Sequence, residues 1–206
     1  MKQNNRVLCI IPARGGSKRL PGKNVKMISG KPLIAWTIES AARSKYIDTA
    51  IISTDDPVIA GVSKKYGAEV PFMRPRHLAR DTSKIIDTLL YTLDWYEKKG
   101  IAFDCLLMLQ PTSPLRTVDD VDQAIEYFFK NKKARAVVSV CEETHHPDWS
   151  NTLPRNLSMA GFLKKSVLNK NKQELNKYYR LNGAFYIARC DYLRESNGFF
   201  GDKTFA

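Results

Sequence analysis

No run of about 18 apolar residues occurs anywhere in the 206-residue chain, which excludes a membrane-spanning helix from the reading. The apolar run 7–11 that follows the polar opening is too short for the core of a secretory signal, and Pro12 breaks it at once. The chain is therefore expected in the cytoplasm, with no membrane partner. Cysteine is scarce. Cys9, Cys105, Cys141 and Cys190 stand far apart, with no CxxC pair and no compact Cys/His cluster, so they read as buried free thiols rather than disulfide or zinc ligands. Internal repeats and low-complexity segments are absent. So are both standard phosphate loops, since neither GxxxxGKS/T nor GxGxxG occurs. Acidic residues are missing from Met1 to Ile38, where Lys2, Arg6, Arg14, Lys18, Arg19, Lys23, Lys26 and Lys31 are all basic.

What is present fits one compact α/β domain with an excursion. Apolar residues make up 43% of the chain, ordinary for a globular protein, and 206 residues can bury a sizeable core. The net charge of +12 is concentrated in the opening stretch and in a second basic region from Lys164 to Arg180, opposed only by Glu174. Such asymmetry implies an anionic partner or a solvated basic surface.

Apolar strands are expected over 7–11, 49–54, 103–109, 134–141 and 183–188, and amphipathic helices over 33–42, 57–66, 83–99 and 118–130. Pro32 suits a first helical turn, and Gly67 and Gly100 suit helix ends. The alternation predicts a mostly parallel sheet with helices on both faces. It breaks between Glu142 and Tyr179, where the chain is polar, irregular and basic. The expected division is a nucleotidyltransferase-type domain over 1–141 and 181–206, with 142–180 as an excursion.

The strongest signal is Ile11-Pro-Ala-Arg-Gly-Gly-Ser-Lys-Arg-Leu-Pro-Gly-Lys-Asn24. It follows a buried strand, at the sheet end where open α/β folds bind ligands. Gly15 and Gly16 permit a tight turn that brings N–H groups near phosphate oxygens, and Arg14, Lys18 and Lys23 supply countercharge.

This run resembles the N-terminal signature of acylneuraminate cytidylyltransferases, the CMP-sialic acid synthetase family, including its legionaminate- and pseudaminate-type members. Arg74-Pro75 with Leu78-Ala79-x-Asp81-Thr82, Leu109-Gln110-Pro111-Thr112-Ser113-Pro114-Leu115-Arg116, His145-His146-Pro147, Arg180-x-Asn182-Gly183-Ala184-x-Tyr186 and Phe199-Phe200-Gly201 follow in the family's order. The resemblance implies a Rossmann-like nucleotidyltransferase fold with a dimerisation excursion. It implies transfer of a cytidylyl group from CTP to the anomeric hydroxyl of an acidic nine-carbon (nonulosonic) sugar, with pyrophosphate leaving. By the same likeness Arg14, Gly15, Gly16, Ser17, Lys18 and Lys23 hold the phosphates, Arg14 and Lys18 being catalytic, while Asn24, Arg74 and Asp81 lie near the ribose and base. Gln110, Asn182, Tyr186, Phe199 and Phe200 line the sugar pocket, and Lys172 and Arg180 face the sugar carboxylate. Some relatives carry arginine where Lys172 stands; lysine keeps the charge but loses the bidentate fork.

Magnesium is expected with the triphosphate. The family draws its metal carboxylates from an Asp-x-Asp element after Phe-Phe-Gly, so the ligands are expected beyond Ala206 and none is named. The residues also have plainer readings. The Gln110 block can be a strand end and turn, Asn182-Gly183 a two-residue hairpin turn, Phe199 and Phe200 core, His145-His146 structural, and Asp55-Asp56 a helix cap. Three rivals stay open: a nucleotidyltransferase for another 2-keto-3-deoxy acid, a catalytically silent homologue, and a basic nucleic-acid-binding module. The last lacks any recognition motif or stacking platform, so no nucleic-acid partner is expected. Which nonulosonic acid is used depends on a few pocket residues and is left open by the motifs.

Overall fold

A computed structural model describes residues 5–206. Lys2 of the basic opening stretch, and the start of the segment behind the leader reading, lie outside the described residues. The chain divides into two compact units, one comprising the residues up to Ser139 together with Gly183–Ala206, the other Val140–Asn182.

The larger unit is built on β1 (Val7–Pro12), a run of five apolar residues and a proline whose alternate side chains enter opposite cores. It pairs in parallel with β4 (Thr49–Ser53) and with β5 (Cys105–Met108). β5 in turn pairs antiparallel with β7 (Tyr179–Arg189), Met108 opposite Tyr186. β6 (Ala136–Glu142) and β8 (Thr204–Phe205) complete the order β4-β1-β5-β7-β6-β8.

Cys9 and Ile11 pack with residues of α1 (Leu33–Arg43), α2 (Pro57–Lys65) and α4 (Val118–Lys130), among them Ile38, Ile59 and Ile125. Leu8 and Ile10 pack on the other face with α3 (Ile85–Glu97) and α5 (Cys190–Glu195), through Leu89 and Leu193. The architecture is the expected one, a mixed, mostly parallel Rossmann-like sheet between helical layers. No helix among the described residues is long and apolar enough to cross a membrane.

Local expectations needed correction. Pro32 does not open α1. Its φ of −58° suits a helix, but its ψ of 145° is extended, and Lys31–Pro32 (β3) pairs antiparallel with Met27–Ile28 (β2). Ser83 lies outside α3. Its hydroxyl donates to the His77 carbonyl (2.7 Å) and accepts from the Arg80 N–H (3.1 Å), knitting the preceding turn. Asn182-Gly183 is not a hairpin turn, because β7 runs through it with Gly183 at φ +74°.

The Val140–Asn182 unit is mostly turns. Within it the Glu143 N–H donates to the Tyr178 carbonyl (2.7 Å), and Arg180 pairs with Glu143 (3.4 Å). His146 is buried, its ring edge-on to Tyr178 at 4.7 Å and its Nδ1 accepting from the Asp148 N–H (3.3 Å). The structural reading of that histidine is the one its contacts support.

Candidate functional site

The loop after β1 is anchored before it reaches solvent. The Ala13 N–H donates to the Ser53 carbonyl at 2.9 Å, and the Gly15 N–H to Asp55 Oδ1 at 3.1 Å. Asp56 beside it caps α2, accepting from the N–H groups of Val58 (2.7 Å) and Ile59 (3.2 Å). A Cβ on residue 15 would stand 2.5 Å from Asp56 Oδ2, so glycine is required there by close approach. These contacts correct two expectations. The Gly15 N–H is committed to Asp55 and is not presented to a ligand. Of the two aspartates only Asp56 caps, while Asp55 ties down the glycine loop. Gly16 has open space around it, and the Ser17 N–H turns back to the Gly15 carbonyl at 2.8 Å.

The loop leads into an open cleft of about 620 Å³. Arg14, Ser17, Lys18, Lys23, Asn24, Arg74 and Asp81, seven of the residues expected around a nucleotide, line it together. Asn24 is buried and donates from Nδ2 to the Arg14 carbonyl (3.2 Å), so it also fixes the backbone that carries Arg14. Arg74, only 6% exposed, donates from Nε to Ser53 Oγ (3.1 Å) and from Nη2 to the Ser53 carbonyl. Burial pulls its guanidinium down to about 10, against the opposing influence of Asp55; it is still charged at neutral pH.

Asp81 is the sole carboxylate of this lining, facing the five cations Arg14, Lys18, Arg19, Lys23 and Arg74. Its two oxygens meet Arg14 Nη1 at 2.9 Å and Lys18 Nζ at 2.6 Å. The hydrogen bond from Lys18, with Arg14 adding its charge, holds the carboxyl below its ordinary range. The cleft is thus a cation-rich funnel whose two leading cations rest on an internal anion. Such a surface suits a polyphosphate.

Of the residues expected at the sugar, Gln110 alone lines this cleft. Tyr186 and Phe199 pack on each other at 5.3 Å between ring centres inside the core, as the plainer reading of Phe199 had it, whereas Phe200 is 55% exposed. Lys172, Arg180 and Asn182 belong to the Val140–Asn182 unit. Arg19, Leu20, Ile85, Pro111 and Thr112 also line the cleft without having been singled out as site residues. Thr112 and Arg19 could have been found, since both sit inside the quoted motifs; Leu20 and Ile85 carry no chemical signal.

No group of three or more His, Cys, Asp or Glu among the described residues could hold a metal ion. With Asp55, Asp56 and Asp81 engaged as described, these residues do not form a resident magnesium site.

A family model described as Cytidylyltransferase matches residues 8–201. The chain belongs to the cytidylyltransferase family. It is 39% identical over 202 residues to the CMP-N,N'-diacetyllegionaminic acid synthase of Legionella pneumophila, covering 97% of this chain and 84% of that protein. The pseudaminic acid cytidylyltransferase of Campylobacter jejuni is 35% identical over 180 residues, covering 87% and 77% respectively. The N-acylneuraminate cytidylyltransferase of Escherichia coli O18:K1:H7 is 30% identical over 201 residues, or 98% of this chain and 46% of that longer protein.

Among solved structures, a CMP:2-keto-3-deoxy-manno-octonic acid synthetase complexed with CTP superposes with a TM-score of 0.68 at 21% identity, covering 93% of this chain and 77% of that one. That likeness establishes the fold of this cytidylyltransferase.

Proposed function

We propose that this cytidylyltransferase joins CMP from CTP to the anomeric hydroxyl of a nonulosonic acid and releases pyrophosphate. The observation that carries the reading is the convergence of Arg14, Lys18, Lys23 and Arg74 on one cleft at the carboxyl end of β1. The three acid sugars in the relatives' names support the acceptor class. The identity to the Legionella protein makes a diacetylated legionaminic-type acid the first candidate.

In the proposed reaction the anomeric oxygen attacks the α-phosphorus in line, and the α,β-bridging P–O bond breaks. Its electron pair leaves with pyrophosphate, while the hydroxyl proton passes to solvent. Positioning and countercharge supply most of the barrier lowering in such transfers. Arg14 and Lys18 exchange Asp81 for phosphate oxygens, Lys18 taking the charge that grows on the leaving group. Magnesium enters this proposal only as the companion of the triphosphate, and no step is routed through a protein-held ion. The Val140–Asn182 unit is proposed to pair two subunits, and cytoplasmic residence accords with soluble substrates.

The test is pyrophosphate release from CTP with a panel of legionaminic, pseudaminic, N-acetylneuraminic and 2-keto-3-deoxy-octonic acids. Turnover with a nine-carbon acid is expected, and Lys18→Ala should slow it about a hundredfold or more. Preference for the eight-carbon acid moves the assignment to that substrate. Absence of turnover with every acid overturns it.

A further inference from the structure

Gln110 follows β5, where the cleft lining leaves the sheet, and two residues with no assigned role converge on it. Its side-chain Oε1 lies 2.7 Å from the place a Cβ on residue 183 would occupy, so a side chain there would displace the amide. Gly183 also holds φ +74°, a conformation that glycine adopts without strain. Behind the same residue stands Arg116, 8% exposed. Its Nη1 donates to the Gln110 carbonyl (3.2 Å) and to the Ala184 carbonyl (2.6 Å), and its Nη2 to Thr37 Oγ1 (2.8 Å). Ser40 Oγ holds the Arg116 carbonyl at 3.1 Å.

Arg116 makes no ion pair among the described residues, and its Nε is buried without a partner. Burial lowers the guanidinium to about 10, which leaves it charged at neutral pH. A buried cation held by neutral oxygens costs stability relative to an apolar side chain of similar volume. What the arrangement provides is geometry. One planar fork joins the end of β5, the strand β7 at Ala184, and α1 at Thr37.

We infer that Arg116 and Gly183 are positioning residues for Gln110. Arg116 fixes the Gln110 backbone and Gly183 leaves its amide room at the cleft, where the family resemblance has Gln110 meeting the acceptor sugar. The inference rests on the function proposed above, and its test has one arm independent of turnover.

In the kinetic arm Gln110→Ala, Gly183→Ala and the double variant are compared with the full chain. Each single change should lower kcat/KM for the sugar acid about tenfold to a hundredfold through its KM, leaving KM for CTP within about twofold. The double variant should be no worse than Gln110→Ala alone. Arg116→Lys keeps the charge, loses the fork and should raise the acceptor KM in the same way; it carries both readouts should Gly183→Ala not fold. In the second arm the Gln110 side-chain amide resonance, identified by its loss in Gln110→Ala, should shift in Gly183→Ala and Arg116→Lys. Should the wild type turn over no sugar acid, the functional reading falls while the amide resonance still decides the inference. Losses that multiply in the double variant, or an amide resonance unmoved in both single variants, overturn it.

Discussion

In the proposed reaction Asp81 occupies the two cations that a phosphate would take over. Both its oxygens are taken by Arg14 and Lys18, yet Lys18 is 78% exposed, and ion pairs so open to water contribute little to stability. Their effect belongs to binding. Asp81→Asn frees two cations and removes a negative charge from the lining, so titration calorimetry should show CTP and pyrophosphate binding several-fold tighter. Weaker binding would mean that the carboxylate works on the ligand's side.

The sign of the pH effect follows from the lowered carboxyl. Between its folded value and the ordinary 3.8 the unfolded chain holds a proton that the folded chain does not. Stability therefore rises with pH through that acid range, and the contribution is complete above it. In Asp81→Asn this part of the slope in melting temperature against pH should vanish. At this scale the sequence was a good guide to which nucleotide-site residues meet and silent on what holds them there. Charge and glycine marked Arg14, Lys18 and Gly15, but the capture of the Gly15 N–H by Asp55 depends on a residue forty positions away. No local pattern announces it.

Among the elements, α4 carries the plainest punctuation. Thr117 Oγ1 accepts from the Asp120 N–H (3.1 Å), and the Asp120 carboxylate accepts from the Thr117 N–H (2.8 Å), closing a reciprocal cap. Thr117→Ala should cost about 1 kcal/mol in chemical denaturation. The cap follows Arg116 directly, so an additional rise in acceptor KM would show that the helix start also steadies the Gln110 turn. Elements with their own signal were legible: the apolar run of β1, the striped helices α1 and α4, and α2 ending ahead of Gly67. Those that depend on a distant partner were not. β2 and β3 are two residues each and exist by pairing with one another. β8 exists because residues 136 and 137 lie beside it. The outer part of β7, residues 179–182, is exposed at every side chain, so no buried face marks it as a strand.

At the scale of the whole molecule, the two units differ in how they hide apolar surface. The larger one builds two cores about a single sheet. In Val140–Asn182 the one apolar side chain buried to a comparable degree is Val167, while Leu153, Leu157 and Met159 face outward, Leu157 with 71% of its surface exposed. Outward apolar side chains of this kind fit the subunit pairing proposed above. Pairing of two copies would cover them. Leu157→Asp combined with Met159→Asp removes two side chains worth about 2 kcal/mol each when buried. A dimer loses them from both copies, about 8 kcal/mol in all, so its dissociation constant should rise by about five orders of magnitude or more. Sedimentation velocity should find the wild type as a dimer and the double variant as single chains. Because the cleft residues are untouched, CTP binding should survive the change. A wild type that sediments as a monomer leaves those three side chains in need of a different partner.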